Sequence, residues 1–196
     1  MRTSSPVNQS VVRTPDEDVL YEVMDDQVVE LAPMGAYEVR LATLLTARIE
    51  TFAQQHRLGR AMQEVLFDLT IATGRKRRPD VAFVSFARWP LTRRIPRTEA
   101  WEVIPNLAVE VVSRSDSVDS IVDKVAEYFH AGVERVWVIF PSQEQVYVYD
   151  SPRSVHILTR TDELSGDPIL PHFRLPLVEL FEDAEAVDEP IQVRPS

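Results

Sequence analysis

The sequence predicts an α/β (α+β) fold in which helices flank a mixed central β-sheet. Three stretches are apolar enough for buried strands, and two segments repeat apolar residues at the spacing of a helix that packs on a sheet. The strands are predicted at 81–84, 107–113 and 133–140, and the helices at 36–57 and 119–131. Alternating segments at 145–150 and 155–160 are expected to extend the sheet.

Length and composition indicate one globular domain. The chain has 196 residues, of which 44% are hydrophobic and 27% are charged. We expect a disordered tail at 1–14, the domain at 15–182 and an acidic tail at 183–196. No apolar run reaches the length of a membrane span and no secretory signal is recognisable, which favours a cytoplasmic protein. The absence of cysteine excludes disulfides and thiolate chemistry.

The first elements are a hairpin and a long helix. Segments 21–23 and 28–31 flank a turn-forming pair of aspartates, which is typical of a short hairpin. In the helix at 36–57, Glu38 falls inside the apolar stripe. Either Glu38 complements the N-terminal helix dipole, or it is a further acid of a functional site.

Residues 62–71 alternate in polarity and are predicted to form a strand. On this prediction, Val65, Phe67, Leu69 and Ile71 share one face and Glu64 lies on the other. Glu64 would then lie beside Asp80 of a neighbouring strand, or it is a solvated strand residue.

One acid stands inside the most apolar strand. Glu110 occupies the middle of 107–113, and charged side chains are almost never fully buried without a partner. Asp80 opens the strand at 81–84, and Lys124 stands at the margin of the apolar stripe of the second helix. Two strand-borne carboxylates and one lysine suffice to bind a hard divalent ion and to steer an attacking water. A lysine at such a margin can equally be a snorkelling surface residue.

Positive charge is concentrated in one segment of an acidic chain. The net charge of −10 argues against non-specific coating of nucleic acid, yet residues 75–98 hold eight basic residues and one acid. Within this segment begins a predicted loop, 86–105, where arginines and tryptophans interleave without periodicity. Such arginines can grip phosphates, or the tryptophans can simply anchor a solvated loop. The candidate nucleic-acid contacts are Arg78, Arg93, Arg94 and Arg97.

Other chemistries lack their patterns. The four histidines show no spacing typical of metal ligands. The chain has no phosphate-cradling glycine loop and no Gly-x-Ser-x-Gly elbow, so nucleotide-cradling and serine-hydrolase mechanisms are disfavoured.

Four strings along the chain resemble the Uma-two family of restriction-endonuclease-like proteins, a branch of the PD-(D/E)XK nuclease superfamily. The strings are Pro79-Asp80-Val81-Ala82-Phe83-Val84, Val109-Glu110-Val111-Val112-Ser113, Asp123-Lys124 with Tyr128, and Ala131-Gly132-Val133-Glu134-Arg135-Val136-Trp137-Val138. The superfamily pattern has a lysine two residues after the second acid, where this chain has Val112. The resemblance implies that Lys124, in the following helix, replaces that lysine.

The resemblance implies a restriction-endonuclease-like core and metal-dependent hydrolysis of DNA phosphodiester bonds. Asp80 and Glu110 would hold Mg²⁺ (or Mn²⁺) with help from the carbonyl of Val111, and Lys124 would orient or help deprotonate the attacking water. Glu38 and Glu64 are possible extra acids of this site. We expect DNA as the partner, no membrane association and a homodimer.

Two other functions stay open at this point. The first is a non-catalytic nucleic-acid-binding or protein-interaction module that retains the nuclease fold, which Val112 and the net charge of −10 favour. The second is a metal-dependent hydrolase of a smaller phosphodiester, which would use the same acids.

Overall fold

The protein is described here as a computed structural model that covers residues 19–182. The tails predicted at 1–14 and 183–196 lie outside these residues, and the single domain at 15–182 stays a prediction. None of the helices in the described part of the chain has the length and apolar character needed to span a bilayer.

The described residues form twelve strands, four α-helices and one 3₁₀ turn. In chain order they are β1 (Tyr21–Met24), β2 (Gln27–Glu30), α1 (Ala36–Gln55), β3 (Gly59–Gln63), β4 (Phe67–Asp68), α2 (Thr70–Thr73), β5 (Lys76–Arg77), β6 (Val81–Ser85), β7 (Leu107–Val111), α3 (Val118–Ala131), β8 (Arg135–Phe140), the 3₁₀ turn Pro141–Gln143, β9 (Gln145–Ser151), β10 (Ser154–Thr159), β11 (Glu163–Ser165), β12 (Arg174–Pro176) and α4 (Leu177–Phe181).

A six-stranded mixed sheet forms the centre of the fold, in the order β10-β9-β8-β7-β6-β3. Strands β7 and β8 run parallel, whereas the other neighbours run antiparallel. Parallel neighbours require a crossover connection, and α3 supplies it between β7 and β8. The α/β (α+β) class with a mixed sheet flanked by helices is therefore confirmed.

Alternation along β7 divides its side chains between the two faces of the sheet. Leu107, Val109 and Val111 belong to the core cluster that contains the buried side of α1, whereas Ala108 belongs to the cluster that contains the buried side of α3. Glu110 consequently faces α3. The buried position of this acid follows from the period of the strand.

A second, four-stranded sheet lies beside the first, in the order β2-β1-β5-β4. It contains the predicted hairpin, in which β1 pairs with β2, and β1 also pairs with β5 through Val23 and Lys76. Residues Tyr21, Leu66 and Ala100 form a small core of their own at this sheet. The second sheet brings the hairpin against the segment that leads into β6.

The strand predicted at 62–71 is wrong. Strand β3 ends at Gln63, and Glu64 adopts a positive φ of 53° that turns the chain out of the strand. Asp68 then accepts hydrogen bonds from the backbone and hydroxyl of Thr70, which starts α2 and ends the extended conformation. Ile71, predicted to share a face with Phe67 and Leu69, is fully exposed, whereas those two residues are buried. Hydrogen bonds from Thr70 to the Asp68 side chain decide this segment, and an alternating pattern does not reveal such local bonds.

Residues 86–105 form a long loop, as predicted, with one isolated bridge between Trp101 and Phe67. Trp89 and Trp101 are both buried, and their rings meet edge to face with centroids 5.3 Å apart. These rings anchor the loop in the core and do not present a stacking platform. The loop leaves β6 at Ser85, the end of the strand opposite to Asp80.

Candidate active site

Glu110 is buried and both of its carboxylate oxygens accept hydrogen bonds from α3. Its side chain receives the Lys124 ammonium on Oε2 at 2.7 Å and the Tyr128 hydroxyl on Oε1 at 2.6 Å. The two donors are four residues apart and therefore share one face of the helix. The helix is fixed at both ends, because Ser117 accepts the N–H of Ser120 and Gly132 closes it in the left-handed conformation.

Asp80 lies at the same end of the sheet as Glu110. Strand β6 runs antiparallel to β7 with Val81 opposite Val109, which places Asp80 beside the end of β7. Its Oδ2 atom accepts the backbone N–H of Val111 at 2.6 Å. The structure thus brings together Asp80, Glu110 and Lys124, the three residues that the sequence pattern singled out.

The protonation of the two acids reflects their burial and their mutual repulsion. Burial, and secondly the charge of Glu110, raise the pKa of Asp80 to about 8. Burial also raises the pKa of Glu110, against the opposing charge of Lys124. At neutral pH the pair therefore holds negative charge poorly without further positive charge.

Lys124 keeps its proton at neutral pH. Burial alone would lower the pKa of Lys124, but the charges of Glu110 and then Glu22 outweigh burial and raise this pKa above its ordinary value. Lys124 is consequently a hydrogen-bond donor and a positive charge, and it is a poor proton acceptor.

Glu22 is an acid of this site that the sequence analysis did not single out. It is 2% exposed, and its carboxylate binds Arg77 Nη1 at 2.6 Å and the backbone N–H of Arg78 at 2.9 Å. The charge of Glu22 contributes to raising the pKa values of Glu110 and Lys124, so Glu22 acts on the same cluster. Its signal in the sequence was a single acid between apolar neighbours in the hairpin, the same kind of signal that marked Glu110.

Arg77 ties the second sheet to α3. This guanidinium is 4% exposed and, besides Glu22, binds Glu127 Oε2 through Nη2 at 2.5 Å. Arg75 pairs with Glu127 as well. Four of the eight basic residues counted in 75–98 pair with acids, since Lys76 also pairs with Asp68 and Arg88 with Glu134. The positive charge available at the surface is therefore smaller than the sequence count.

Three carboxylates, those of Glu22, Glu110 and Asp80, lie near Arg77 and Lys124. Arg77 pairs with Glu22 and Lys124 pairs with Glu110. No lysine or arginine within residues 19–182 lies at ion-pair distance from Asp80, the third carboxylate. Asp80 is therefore the carboxylate of this cluster without a paired lysine or arginine, and its raised pKa keeps it largely protonated at neutral pH.

This donor set fits a hard divalent cation. Carboxylate and carbonyl oxygens are the ligands that Mg²⁺ prefers, and a bound cation would favour the ionised form of Asp80, which burial disfavours. Within residues 19–182, however, no three histidine, cysteine, aspartate or glutamate side chains already surround one point as a metal cage. An ion held by Asp80 and Glu110 would have to share the Glu110 carboxylate with Lys124.

The two extra acids lie in different places. The backbone N–H of Glu64 donates to the carbonyl of Asp80 at 3.2 Å, and the Glu64 side chain interacts electrostatically with Arg78. Glu38 folds over Gly35 at the first turn of α1 and lines a cavity of about 560 Å³ with Ser113 and neighbouring residues. The position of Glu38 suits an acid that complements the helix dipole. Catalytic roles for both acids stay predictions.

The candidate nucleic-acid contacts divide into two groups. Arg78 lies beside the acids, where its guanidinium donates to the carbonyls of Tyr21 at 3.1 Å and Glu64 at 2.5 Å. Arg93 stacks on Trp89 at 3.6 Å from the ring centroid. Arg94 and Arg97 are exposed in the same loop. This loop begins at the far end of β6, roughly 17 Å from Asp80 for a five-residue strand.

Comparisons with known proteins show the family and agree with the fold. The sequence profile of a family described as "Uma2: Putative restriction endonuclease" matches residues 9–178. A solved structure from Anabaena variabilis ATCC 29413, described as "a putative nuclease belonging to DUF820", superposes with a TM-score of 0.72 at 16% sequence identity. The superposition covers 86% of this chain and 93% of that one, and at this identity it concerns the fold alone. No curated protein sequence matches the chain.

The raised pKa of Asp80 predicts that the metal-free protein loses stability as the pH rises. Asp80 titrates near pH 8 when folded and near 4 when unfolded, so between these values the folded state binds more protons. The free energy of unfolding, measured by urea titration in EDTA, should fall across this window. The fall should be smaller in Asp80→Asn and unchanged in Asp26→Asn, a substitution in an exposed turn. An equal pH dependence in all three proteins would contradict the assignment.

Proposed function

The chain belongs to the Uma2 family, and on that premise we propose that it is a metal-dependent endonuclease that hydrolyses DNA phosphodiester bonds. The observation that carries this proposal is the buried cluster of Asp80 and Glu110 with the protonated Lys124. A site for phosphodiester hydrolysis needs a cation for the phosphate and a positioned donor for the nucleophile or the developing charge. In this cluster Asp80 and Glu110 offer ligands for the cation, and Lys124 supplies the positioned donor.

Asp80, Glu110 and the carbonyl of Val111 are the groups that would hold the ion, which we take to be Mg²⁺ or Mn²⁺. When bound, such an ion supplies a Lewis acid that polarises the phosphate. Asp80 and the backbone of Val111 are already joined by a hydrogen bond, and Glu110 lies one residue before Val111. The ligands are thus held by the backbone of two paired strands, which makes their spacing rigid.

Lys124 serves in this proposal as an orienting donor and a positive charge. Its raised pKa argues against the alternative in which Lys124 removes a proton from the attacking water. Val112, at the position of the usual lysine, packs in the core cluster on the α3 side of the sheet. Lys124 reaches the same side from α3, so the helix supplies the ammonium that the strand lacks.

The proposed DNA contacts extend away from the acids. Arg78 lies next to the acids, whereas Arg93, Arg94 and Arg97 belong to the loop that begins at the other end of β6. A duplex spans this separation, because consecutive base pairs rise 3.4 Å along each strand. Contacts at the start of the loop would therefore reach phosphates several nucleotides from the bond that is cut. The later part of the loop returns to the hairpin, where Tyr21 donates a hydrogen bond to Glu99.

A non-catalytic binding module is the second candidate. The observation that favours it is that both Glu110 oxygens already accept hydrogen bonds inside the protein, so an ion would have to share this carboxylate with Lys124 and Tyr128. A hydrolase of a smaller phosphodiester would share the acids and dispense with the arginine loop. Cytoplasmic localisation stays a prediction.

Metal binding separates the enzyme from the binding module. Saturating Mg²⁺ or Mn²⁺ should raise the melting temperature by about 5–10 °C, as expected for a ligand at a hundredfold excess over its Kd in a chain of this size. The rise should vanish in Asp80→Asn/Glu110→Gln and persist in Asp26→Asn/Glu30→Gln, a pair in the peripheral hairpin. Equal shifts in the two double variants would sink the proposed metal site.

Removal of the Lys124 charge should strongly reduce the rate of cleavage and should reduce the stability of the fold much less. With Mg²⁺ present, Lys124→Met should cut supercoiled or linear DNA about 10²-fold more slowly, the scale for losing one positioned charge. Tyr128→Phe is the matched control, because it removes the other hydrogen bond to Glu110 and keeps the charge. This control should lose about 1–2 kcal/mol of stability and retain most of the activity. The assay is run at a temperature where urea titration shows all proteins to be folded.

Three outcomes of that assay count against the proposal. Undetectable cleavage by the native protein with either ion, on every DNA form, would favour the binding module. Cleavage of small phosphodiesters alone would favour the third candidate. Equal losses in Lys124→Met and Tyr128→Phe would mean that Lys124 only supports the position of Glu110.

The arginine loop should supply salt-sensitive binding. The triple variant Arg93→Gln, Arg94→Gln, Arg97→Gln should bind DNA more weakly, and the slope of log K against log salt should flatten by about 2.7 if all three contact phosphates. Fluorescence anisotropy at several salt concentrations measures both quantities.

The matched control for this variant changes three arginines outside the loop, Arg48, Arg57 and Arg174, to glutamine. Both triple variants alter the net charge equally. Identical slopes in the two variants would show that the loop acts only through overall charge, and the loop would then be a solvated surface segment.

A further inference from the structure

Within residues 19–182, no segment covers an apolar face of the sheet beyond α3. Val155 and Ile157 of β10 lie opposite Tyr149 and Tyr147 of β9 in the register of the sheet, so the four side chains share one face. The tyrosines pack at the rim of the core cluster under α3, which identifies this face as the α3 side. Val155 is 42% exposed and Ile157 is 51% exposed.

One side of α3 continues this apolar face. Lys124 and Glu127 project from the helix toward β7 and β5, where they bind Glu110 and Arg77. At 100° per residue the opposite side carries Val118 and Val122, which are 77% and 55% exposed. We call the six residues the β10 surface: Val118, Val122, Tyr147, Tyr149, Val155 and Ile157. Contiguous exposed apolar area of this kind is typical of protein–protein contacts.

The backbone of β10 is also open. Among the described strands, β10 ends the six-stranded sheet. The backbone N–H and C=O of Thr159 bond to Asp162 and not to β9. In an antiparallel pair, every second residue directs its backbone N–H and C=O away from the neighbouring strand. The N–H and C=O of Ile157, two residues before Thr159, therefore point to the open side. Residues 155–159 contain no proline, lysine or arginine that would discourage pairing with another strand. The register shift in β10 is confined to the junction of Ser154 and Val155.

We propose that this edge pairs with the β10 edge of a second copy of the chain, antiparallel and centred on Ile157. A two-fold axis makes the contact self-complementary, because each apolar side chain of the β10 surface then meets the same surface of the partner. The charges also match. Arg153 and Asp162 are exposed at opposite ends of the strand, and antiparallel pairing brings each of them near the other residue in the second copy.

This pairing goes beyond the proposed cleavage, and the second copy does not cover the cluster of acids. Lys124 and Glu110 lie on the side of α3 that faces away from Val118 and Val122. A second copy on the β10 surface would therefore join two sheets into one continuous sheet and leave each cluster of acids accessible. Cleavage is not needed as a readout, so the two proposals can fail separately.

Sedimentation velocity of the full chain over a range of concentrations tests the pairing. The native protein should form a dimer that dissociates on dilution, and Ile157→Lys should weaken it by about tenfold or more, since it places a charge at the centre of the contact. Ile71→Lys is the matched control, because Ile71 is a fully exposed isoleucine on α2, outside the β10 surface. This control should dimerise like the native protein.

A second measurement serves if Ile157→Lys fails to fold, which far-UV circular dichroism would show. The chain has no cysteine, so Ile157→Cys and Ile71→Cys each carry one thiol. A short bismaleimide should join two copies through position 157 and not through position 71. A native protein that is monomeric throughout, a dimer that Ile157→Lys leaves intact, or equal crosslinking at both positions would overturn the proposal.

Discussion

The burial of one carboxylate fixes much of this structure. Glu110 enters the core because β7 alternates between two packed layers, and a buried charge is tolerated only where donors surround it. Lys124 and Tyr128 supply the donors from a single face of α3. The requirement sets the rotation of the helix about its axis. This rotation directs Lys124 and Glu127 of α3 toward β7 and β5, and it places Val118 and Val122 on the opposite side of the helix.

The proposed chemistry follows from an incomplete pairing in the same cluster. Arg77 pairs with Glu22 and Glu127, Lys124 pairs with Glu110, and Asp80 is left with a backbone N–H as its hydrogen-bond donor. A site of this kind attracts a cation because its charges do not balance, even though its side chains do not form a finished cage. Burial, and secondly the charge of Glu110, raises the pKa of Asp80, so a metal ion and a proton compete for this one carboxylate.

The sequence predicted the parts of the site that depend on period and missed those that depend on pairing between distant segments. Glu110 and Lys124 could be placed together because a strand has a period of two and a helix a period of 3.6. Glu22 could not, because its approach depends on the pairing of β1 with β5, which no local pattern encodes. For Glu64 the local pattern itself was misleading. Its segment alternates like a strand, yet the chain turns at Glu64 and α2 starts at Thr70.

Arg77 closes the cluster with an ion pair to Glu22, a residue 55 positions earlier in the chain. The contact of Asp80 with Val111 spans 31 positions, and that of Lys124 with Glu110 spans 14. Contacts that close large loops form late in folding, because the chain entropy must be lost before they contribute. The three carboxylates are therefore far apart in a chain that is still being made or only partly folded. A partly synthesised chain therefore lacks an assembled site. Any hydrolytic activity begins only when the hairpin, the two sheets and α3 have packed against one another.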